Sequence, residues 1–121
     1  MSSRRTSSKR WKRNSDETAP PLSLNGRHMH IGVLKLTLFL GEAQSLKDKR
    51  RILNGLKDRI RNRFNASVAE VGGQDVHQRA EVAVAAVSGD GQYLNGQLDA
   101  ILDYVRRDAL IVIAGHEIEV F

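Results

Sequence analysis

The stretch SLKDKRRILNGLKDRIRNRF, residues 45–64, decides how the rest of the chain must be arranged. Its apolar residues recur at helical spacing, which places them on one face of an amphipathic helix of about five turns. These residues are Leu46, Leu53, Leu56, Ile60 and Phe64. Ser45 stands before the helix and Asp48 three residues later, a pair similar to a capping box. Because the apolar face must be buried, the helix has to pack against a second layer of structure.

The other face of this helix is strongly basic, since residues 47–63 contain eight Lys or Arg and two Asp. The cations recur at helical steps over roughly 20 Å, at about 1.5 Å per residue. Nucleic-acid phosphates require only cations at suitable spacing. The sequence therefore predicts either a nucleic-acid-binding surface or an ordinary solvated helix face. The predicted nucleic-acid-binding residues are Lys47, Lys49, Arg50, Arg51, Lys57 and Arg61.

The net charge of +5 lies entirely in the N-terminal part of the chain. Residues 1–28 contain seven Lys or Arg and two acidic residues, whereas residues 29–121 contain twelve of each. With few aliphatic residues, the first segment cannot bury enough apolar area to offset the entropy lost on ordering. We therefore predict a disordered basic extension over residues 1–28 and one folded domain over residues 29–121. The extension is an arm that touches phosphates, a solvated tail, or a segment upstream of a start at Met29.

The composition argues against several classes of protein. The absence of cysteine excludes disulfides, thiolate metal sites and a cysteine nucleophile. No apolar run approaches the roughly 20 residues of a membrane span. No apolar segment follows the basic N-terminus, as it would in a secretory signal. The sequence thus predicts a cytoplasmic protein with no membrane partner.

The regions around the basic helix predict four strands and a second helix. Residues 31–40, IGVLKLTLFL, place leucine at every second position, as in a strand with one buried face. The other predicted strands are residues 66–71, 79–88 and 110–121, the last interrupted near Gly115. The second amphipathic helix has its apolar face at Leu94, Leu98, Ile101, Leu102 and Val105. The order β-α-β-β-α-β predicts an α+β, ferredoxin-like sandwich, in which two helices cover one face of a four-stranded antiparallel sheet.

The face of the sheet opposite the helices is left open in such a fold. Here that face is predicted to be largely apolar, and an exposed apolar face of this kind commonly forms an interface. The predicted dimer-face residues are Val33, Phe39, Ala83, Ala85 and Val87. The sequence therefore predicts a homodimer.

Residues that could carry chemistry are few. The glycine-rich nucleotide-binding signatures are missing, and the four histidines have no evident ligand or nucleophile set around them. We therefore predict no catalytic residue, no metal site and no cofactor. A polar cluster in the predicted hairpin is interpreted either as a contact site for a partner or as turn capping with an Asp75–Arg79 pair. This cluster consists of Gln74, Asp75, Gln78 and Arg79.

Three separated motifs occur in order along the chain: AQSLK-x-KR at residues 43–50, RNRFN-x-SVAEV at residues 61–71, and QD-x-x-QRA at residues 74–80. Together they resemble the YlxP-like proteins, a family of small bacterial proteins of unknown function, over residues 29–121. The resemblance implies the ferredoxin-like fold and no known enzyme activity. Members are often encoded beside translation and ribosome-maturation factors, so the resemblance implies an accessory of ribosome assembly, by association and not by mechanism.

We therefore expect an uncharacterised, non-enzymatic binding protein whose partner is ribosomal RNA or a ribosomal particle. The alternative is a homo-oligomeric regulatory module that binds a small ligand or a protein through its open sheet face. A third interpretation, a small hydrolase that uses the hairpin cluster, is the weakest because no catalytic motif accompanies it.

Overall fold

The computed structural model describes residues 22–24, 27–74 and 76–121, and at residues 22–24, 27 and 28 it describes the backbone alone. The predicted order β-α-β-β-α-β is confirmed for residues 27–121, and a short strand at Leu22–Leu24, which was not predicted, precedes it. The elements are β1 (Leu22–Leu24), β2 (Arg27–Phe39), α1 (Leu46–Arg63), β3 (Ser67–Gly72), β4 (Arg79–Ser88), α2 (Gly91–Arg106) and β5 (Val112–Val120).

Four of the strands form an antiparallel sheet in the spatial order β5-β2-β4-β3. Strand β4 lies between β2 and β3, so β2, α1 and β3 make a split βαβ unit. In the register, Leu34 of β2 lies opposite Val84 of β4 and Ile118 of β5. The register of β5 shifts opposite Thr37 and Leu38, next to Gly115, where the sequence predicted an interruption. The predicted ferredoxin-like fold is confirmed.

Strand β2 begins earlier than predicted. Its first residues pair with β1, with Leu22 opposite Met29 and Leu24 opposite Arg27. The backbone at residues 22–24 and 27–28 is therefore extended, whereas the sequence predicted disorder there. Asn25 and Gly26, between the two strands, lie outside the described residues. The predicted extension over residues 1–21 also lies outside the described residues and stays a prediction.

The core lies between the sheet and the two helices. Leu34, Leu36, Leu38 and Leu40 are fully buried, as their alternation predicted. The predicted apolar face of α2 is confirmed in full, because all five of its residues are buried. Helix α2 also lies close to β2. A Cβ atom added at Gly32 would lie only 2.7 Å from Leu98 Cδ1, so a larger residue there would push α2 outward.

The buried face of α1 differs in part from the prediction. The predicted Leu53, Leu56 and Ile60 are buried, but Leu46 is 37% exposed and Ile52 takes its place in the core. The cap is as expected: the Asp48 amide donates to Ser45 Oγ at 3.1 Å, and the Gln44 amide donates to Asp48 Oδ2 at 3.1 Å. The cap fixes where α1 begins and thereby the rotation of its basic residues about the helix axis.

Candidate functional site

The structure divides the six predicted phosphate-binding cations among three locations. One is in the core, four lie along the outer surface of α1, and one lies on the side of α1 that faces α2. The division follows from the position of each residue around the helix, since successive residues are about 100° apart.

Lys49 was predicted to lie on the basic face of α1, but it lies on the buried face. It is only 2% exposed, so the prediction that it contributes to a phosphate-binding surface is wrong. It stands at helical spacing from Ile52, Leu53 and Leu56, on the buried face of α1. Its ammonium lies 2.8 Å from Glu70 Oε2 on β3. A lysine at this position is buried because a carboxylate on the next strand compensates its charge.

The ammonium of Lys49 also holds the backbone of the hairpin that joins β3 and β4. It donates to the carbonyl oxygens of Gly73 and Val76, at 2.5 and 2.8 Å. Gly73 has a positive φ of 75°, a conformation that glycine adopts without strain. The Lys49 side chain therefore connects α1, β3 and the hairpin through one charged group.

The outer stripe of α1 is defined here as Lys47, Arg50, Lys57 and Arg61. Among the described residues, no ion pair or hydrogen bond engages the side chains of the first three. Arg61 differs, because it lies 3.7 Å from Asp58 and donates to the Val68 carbonyl of β3 at 3.0 Å. From first to last residue the stripe spans about 21 Å of helix. Three cations of the stripe can therefore bind a row of anionic groups without breaking an ion pair or hydrogen bond to another described residue.

Arg51, the sixth predicted cation, lies on the opposite side of the exposed surface of α1. It lines a cavity of about 420 Å³ between α1 and α2, together with Arg59, Tyr104 and Arg107. Arg59 forms a 2.5 Å ion pair with Asp108, which links the two helices. Arg51 is thus not part of the outer stripe and belongs to a second basic surface.

A second cavity, of about 470 Å³, lies at the other end of the same helix pair. Arg63 and Phe64 line it from the end of α1, and Tyr93 and Gly96 line it from the start of α2. Tyr104 lines the first cavity, and its ring lies 5.8 Å from the Phe64 ring, edge to face, and 5.2 Å from the Arg63 guanidinium carbon, two residues that line the second cavity. We call the combined feature the interhelical groove. The groove is lined by Arg51, Arg59, Arg63, Tyr93, Tyr104 and Arg107.

Sequence reasoning missed most of this groove, although two signals were available. Arg51, Gly55, Arg59 and Arg63 recur every four residues along α1. In α2, Tyr93, Gln97, Ala100, Tyr104 and Arg107 recur at alternating steps of four and three. Each series marks one helix face. That the two faces adjoin could not be deduced from either series alone.

The predicted polar cluster of the hairpin is only partly brought together. The Gln78 side chain donates to the Gly41 carbonyl at 3.4 Å, and the Leu40 amide donates to the Gln78 carbonyl at 2.8 Å. Gln74 and Arg79 are exposed, and Asp75 lies outside the described residues. Gln78 thus fastens the hairpin to the turn after β2, in agreement with a structural role, and the proposed Asp75–Arg79 pair stays a prediction.

The predicted dimer-face residues do lie on the sheet face away from the helices. Phe39 is 46% exposed and Val87 is 61% exposed, while Val33, Ala83 and Ala85 between them are partly buried. A Lys35–Glu81 ion pair of 3.7 Å crosses the middle of this face. The open face therefore has apolar ends and a polar centre.

The described residues were also compared with what a metal site and a membrane-spanning helix require. Among the side chains described, those of residues 29–74 and 76–121, no three of His, Asp or Glu lie close enough together to hold a metal ion. Neither α1 nor α2, the helices of the described region, has the length and apolarity that crossing a bilayer demands.

The fold and these surfaces define a small ferredoxin-like α+β domain with a basic helical layer and an open sheet face. Residues 31–118 match the model of a protein family described as "Protein of unknown function (DUF503)", and the chain belongs to that family. The chain is also 35% identical, over 75 residues, to a Bacillus subtilis (strain 168) protein described as "Uncharacterized protein YlxP". The alignment covers 62% of this chain and 82% of that protein. The resemblance found in the sequence motifs is confirmed.

Proposed function

We propose that this protein is a non-enzymatic, cytoplasmic RNA-binding protein, and that the outer stripe of α1 contacts the phosphate backbone of ribosomal RNA or of a ribosomal particle. The proposal rests on the observation that Lys47, Arg50 and Lys57 have no ion pair among the described residues. Three unpaired cations on one helix side can neutralise phosphates without breaking a contact inside the protein.

The distribution of charge supports the same proposal. Residues 29–121 carry equal numbers of basic and acidic residues, so the excess on α1 is balanced by acidic residues elsewhere. Glu81, Glu117 and Glu119 lie on the open sheet face, on the other side of the molecule. Lys35 and Arg79 lie on the same face, so that face is nearly neutral, and the cations concentrated on α1 favour the approach of a polyanion from the helix side.

The choice of a ribosomal target rests on the family resemblance, and the choice of a polyanion rests on the stripe. The two parts of the proposal can therefore be tested separately. Sedimentation with ribosomal particles at low and high salt tests the target, and binding of purified RNA tests the stripe.

Replacing Arg50 by Gln is expected to lower the slope of log affinity against log salt concentration by about 0.7 for single-stranded RNA, because one phosphate contact and its released counterion are lost. The folded state should be little affected, since Arg50 is exposed and such substitutions change stability by under about 0.5 kcal/mol. The measurement is a fluorescence-anisotropy titration of labelled RNA across a salt series.

The matched control for this measurement is Arg106→Gln. Arg106 is an exposed arginine at the end of α2 and is paired with Asp103 at 3.2 Å. Replacing Arg106 by Gln changes the net charge of the protein by the same amount as replacing Arg50, but Arg106 lies outside the stripe. An unchanged slope in Arg50→Gln, or an equal change in both variants, would show that the stripe makes no specific contribution.

A second candidate function, a homo-oligomeric regulatory module that binds a small ligand or a protein through its open sheet face, is favoured by a different observation. Phe39 and Val112 lie opposite each other on β2 and β5 and are both strongly exposed on this face. Exposed apolar groups that lie side by side are typical of an interface.

Under this second candidate, Phe39→Asp is expected to weaken self-association by about 30-fold or more, because a buried aromatic anchor typically contributes at least about 2 kcal/mol. Light scattering over a concentration series measures the change, and Phe39→Leu, which keeps an apolar side chain, is the control. If the wild-type protein is already monomeric at high micromolar concentration, self-association through this face is ruled out.

A further inference from the structure

We propose that the interhelical groove binds single-stranded RNA, with unpaired bases packed against Tyr93 and the phosphates near Arg51 and Arg107. This inference rests on the proposed function, because it assigns the form of RNA and a second contact surface. The outer stripe offers only charged side chains to a ligand, whereas the groove offers both charged side chains and aromatic rings. A surface of this mixed kind distinguishes single strands from duplexes, because only unpaired bases expose their faces for stacking.

The cations of the groove form a row on α1 that a fourth arginine faces from the end of α2. Arg59 lies eight residues after Arg51, about 12 Å along the axis, and Arg63 lies four residues after Arg59, about 6 Å further on. Arg107 faces this row from the end of α2 and has no ion pair among the described residues. Arg59 is paired with Asp108, so its charge is already compensated and its guanidinium is held in place. Arg51 lies 3.6 Å from Asp48, so within the described part of the groove Arg107 is the guanidinium that has neither an ion pair nor a ring contact.

The groove contains an exposed aromatic ring on which a base can stack, a feature that the sequence analysis did not identify. Tyr93 is 64% exposed, although a large aromatic side chain is normally more buried. It lines the same cavity as Phe64 and Arg63. Tyr104 has its ring occupied by contacts with Phe64 and Arg63, so it forms part of the wall. Tyr93 is therefore the aromatic side chain of the groove that remains available to a base.

Two glycines within the helices leave the groove open. A Cβ atom at Gly96 would meet nothing within 4 Å, and one at Gly55 would meet only Arg59 Nη1, at 3.3 Å. Packing within the protein therefore does not require glycine at either position. Glycine inside a helix is less favourable than alanine by roughly 1 kcal/mol. Both glycines line the cavities, so they allow a ligand to approach the helix backbones closely.

The length of the groove also suits a strand of RNA. The helices are antiparallel, because Arg59 within α1 pairs with Asp108, two residues after α2, while Phe64, just after α1, contacts Tyr104 in the last turn of α2. From Arg51 to Phe64 the groove follows about 20 Å of helix. Two cavities that follow one another over this length can accommodate several linked nucleotides rather than a single small ligand.

The test compares wild-type protein with Tyr93→Ala and Tyr93→Phe. The probes are a labelled single-stranded RNA of about ten nucleotides and a duplex of the same length. Loss of one stacked base should weaken binding of the single strand by about 5- to 100-fold, with the salt slope and duplex binding unchanged. Tyr93→Phe keeps the ring and should bind as wild type. Tyr93 is exposed, so the melting temperature should stay near that of wild type, which circular dichroism checks.

The outcomes separate this inference from the proposed function. If Tyr93→Ala binds single-stranded RNA as tightly as wild type while Arg50→Gln still lowers the salt slope, the groove assignment is wrong and the stripe assignment stands. If Tyr93→Ala loses affinity while Arg50→Gln has no effect on the slope, the groove is supported and the stripe is not. If the wild-type protein binds neither RNA, both are wrong.

Discussion

Replacing Lys49 by Ala is expected to lower the free energy of unfolding by about 3 kcal/mol or more, a large share of the stability of a small domain. The substitution leaves the Glu70 carboxylate, whose Oε2 is buried, without the ammonium that lies 2.8 Å away. It also removes the donor from the carbonyl oxygens of Gly73 and Val76. Leaving a buried carboxylate oxygen without its charged partner is among the strongest single causes of destabilisation, and the loss of the donor from two part-buried carbonyl groups adds to it.

Chemical denaturation followed by circular dichroism measures this loss, and Lys47→Ala is the matched control. Lys47 lies two residues earlier on the same helix and is exposed, so its removal should change stability by under about 0.5 kcal/mol. The double variant Lys49→Met/Glu70→Met should recover part of the loss, because it removes both charges, but not all of it, because the two carbonyl groups still lack a donor. Equal stability of the Lys49→Ala and Lys47→Ala variants would contradict the buried ion pair.

Reversing two charges of the outer stripe, in Arg50→Glu/Lys57→Glu, is expected to reduce RNA affinity by about a hundredfold or more at low salt. Each lost charge-assisted contact is worth about 1.4 kcal/mol or more, which is a factor of ten. The introduced carboxylates then repel the phosphates as well. Arg61 is left unchanged in this design, because its bond to the Val68 carbonyl ties α1 to β3 and its loss would confuse binding with folding.

The control for the double reversal is Arg79→Glu/Arg106→Glu, which shifts the net charge equally. Both control residues are exposed and lie outside the stripe, one in the hairpin cluster and one at the end of α2. We expect this variant to lose little affinity beyond the effect of overall charge, and that residual loss should vanish as salt rises. If the control loses as much affinity as the stripe variant, net charge or the hairpin, and not the stripe, governs binding.

The sequence by itself determined the β-α-β-β-α-β order and the fold class, but not the short strand β1 that precedes them. The leucine alternation in β2 and the helical spacing of the apolar residues in α2 predicted which side chains are buried. The pairing of Ser45 with Asp48 predicted where α1 begins. These features are local: periodicity fixes the face that must be buried, and capping fixes an end, without reference to distant parts of the chain.

Only the tertiary structure decided how the charged residues are used. Lys49 looked like its basic neighbours in sequence, but Glu70 on β3 lies within reach and makes burial of the ammonium favourable. Arg59 lies 49 residues before Asp108, and the two meet because α1 and α2 are adjacent on the sheet. The interhelical groove exists for the same reason, since neither helix alone forms a cavity. A charge or an aromatic ring takes its role from the partner opposite it, and the chain's topology selects that partner.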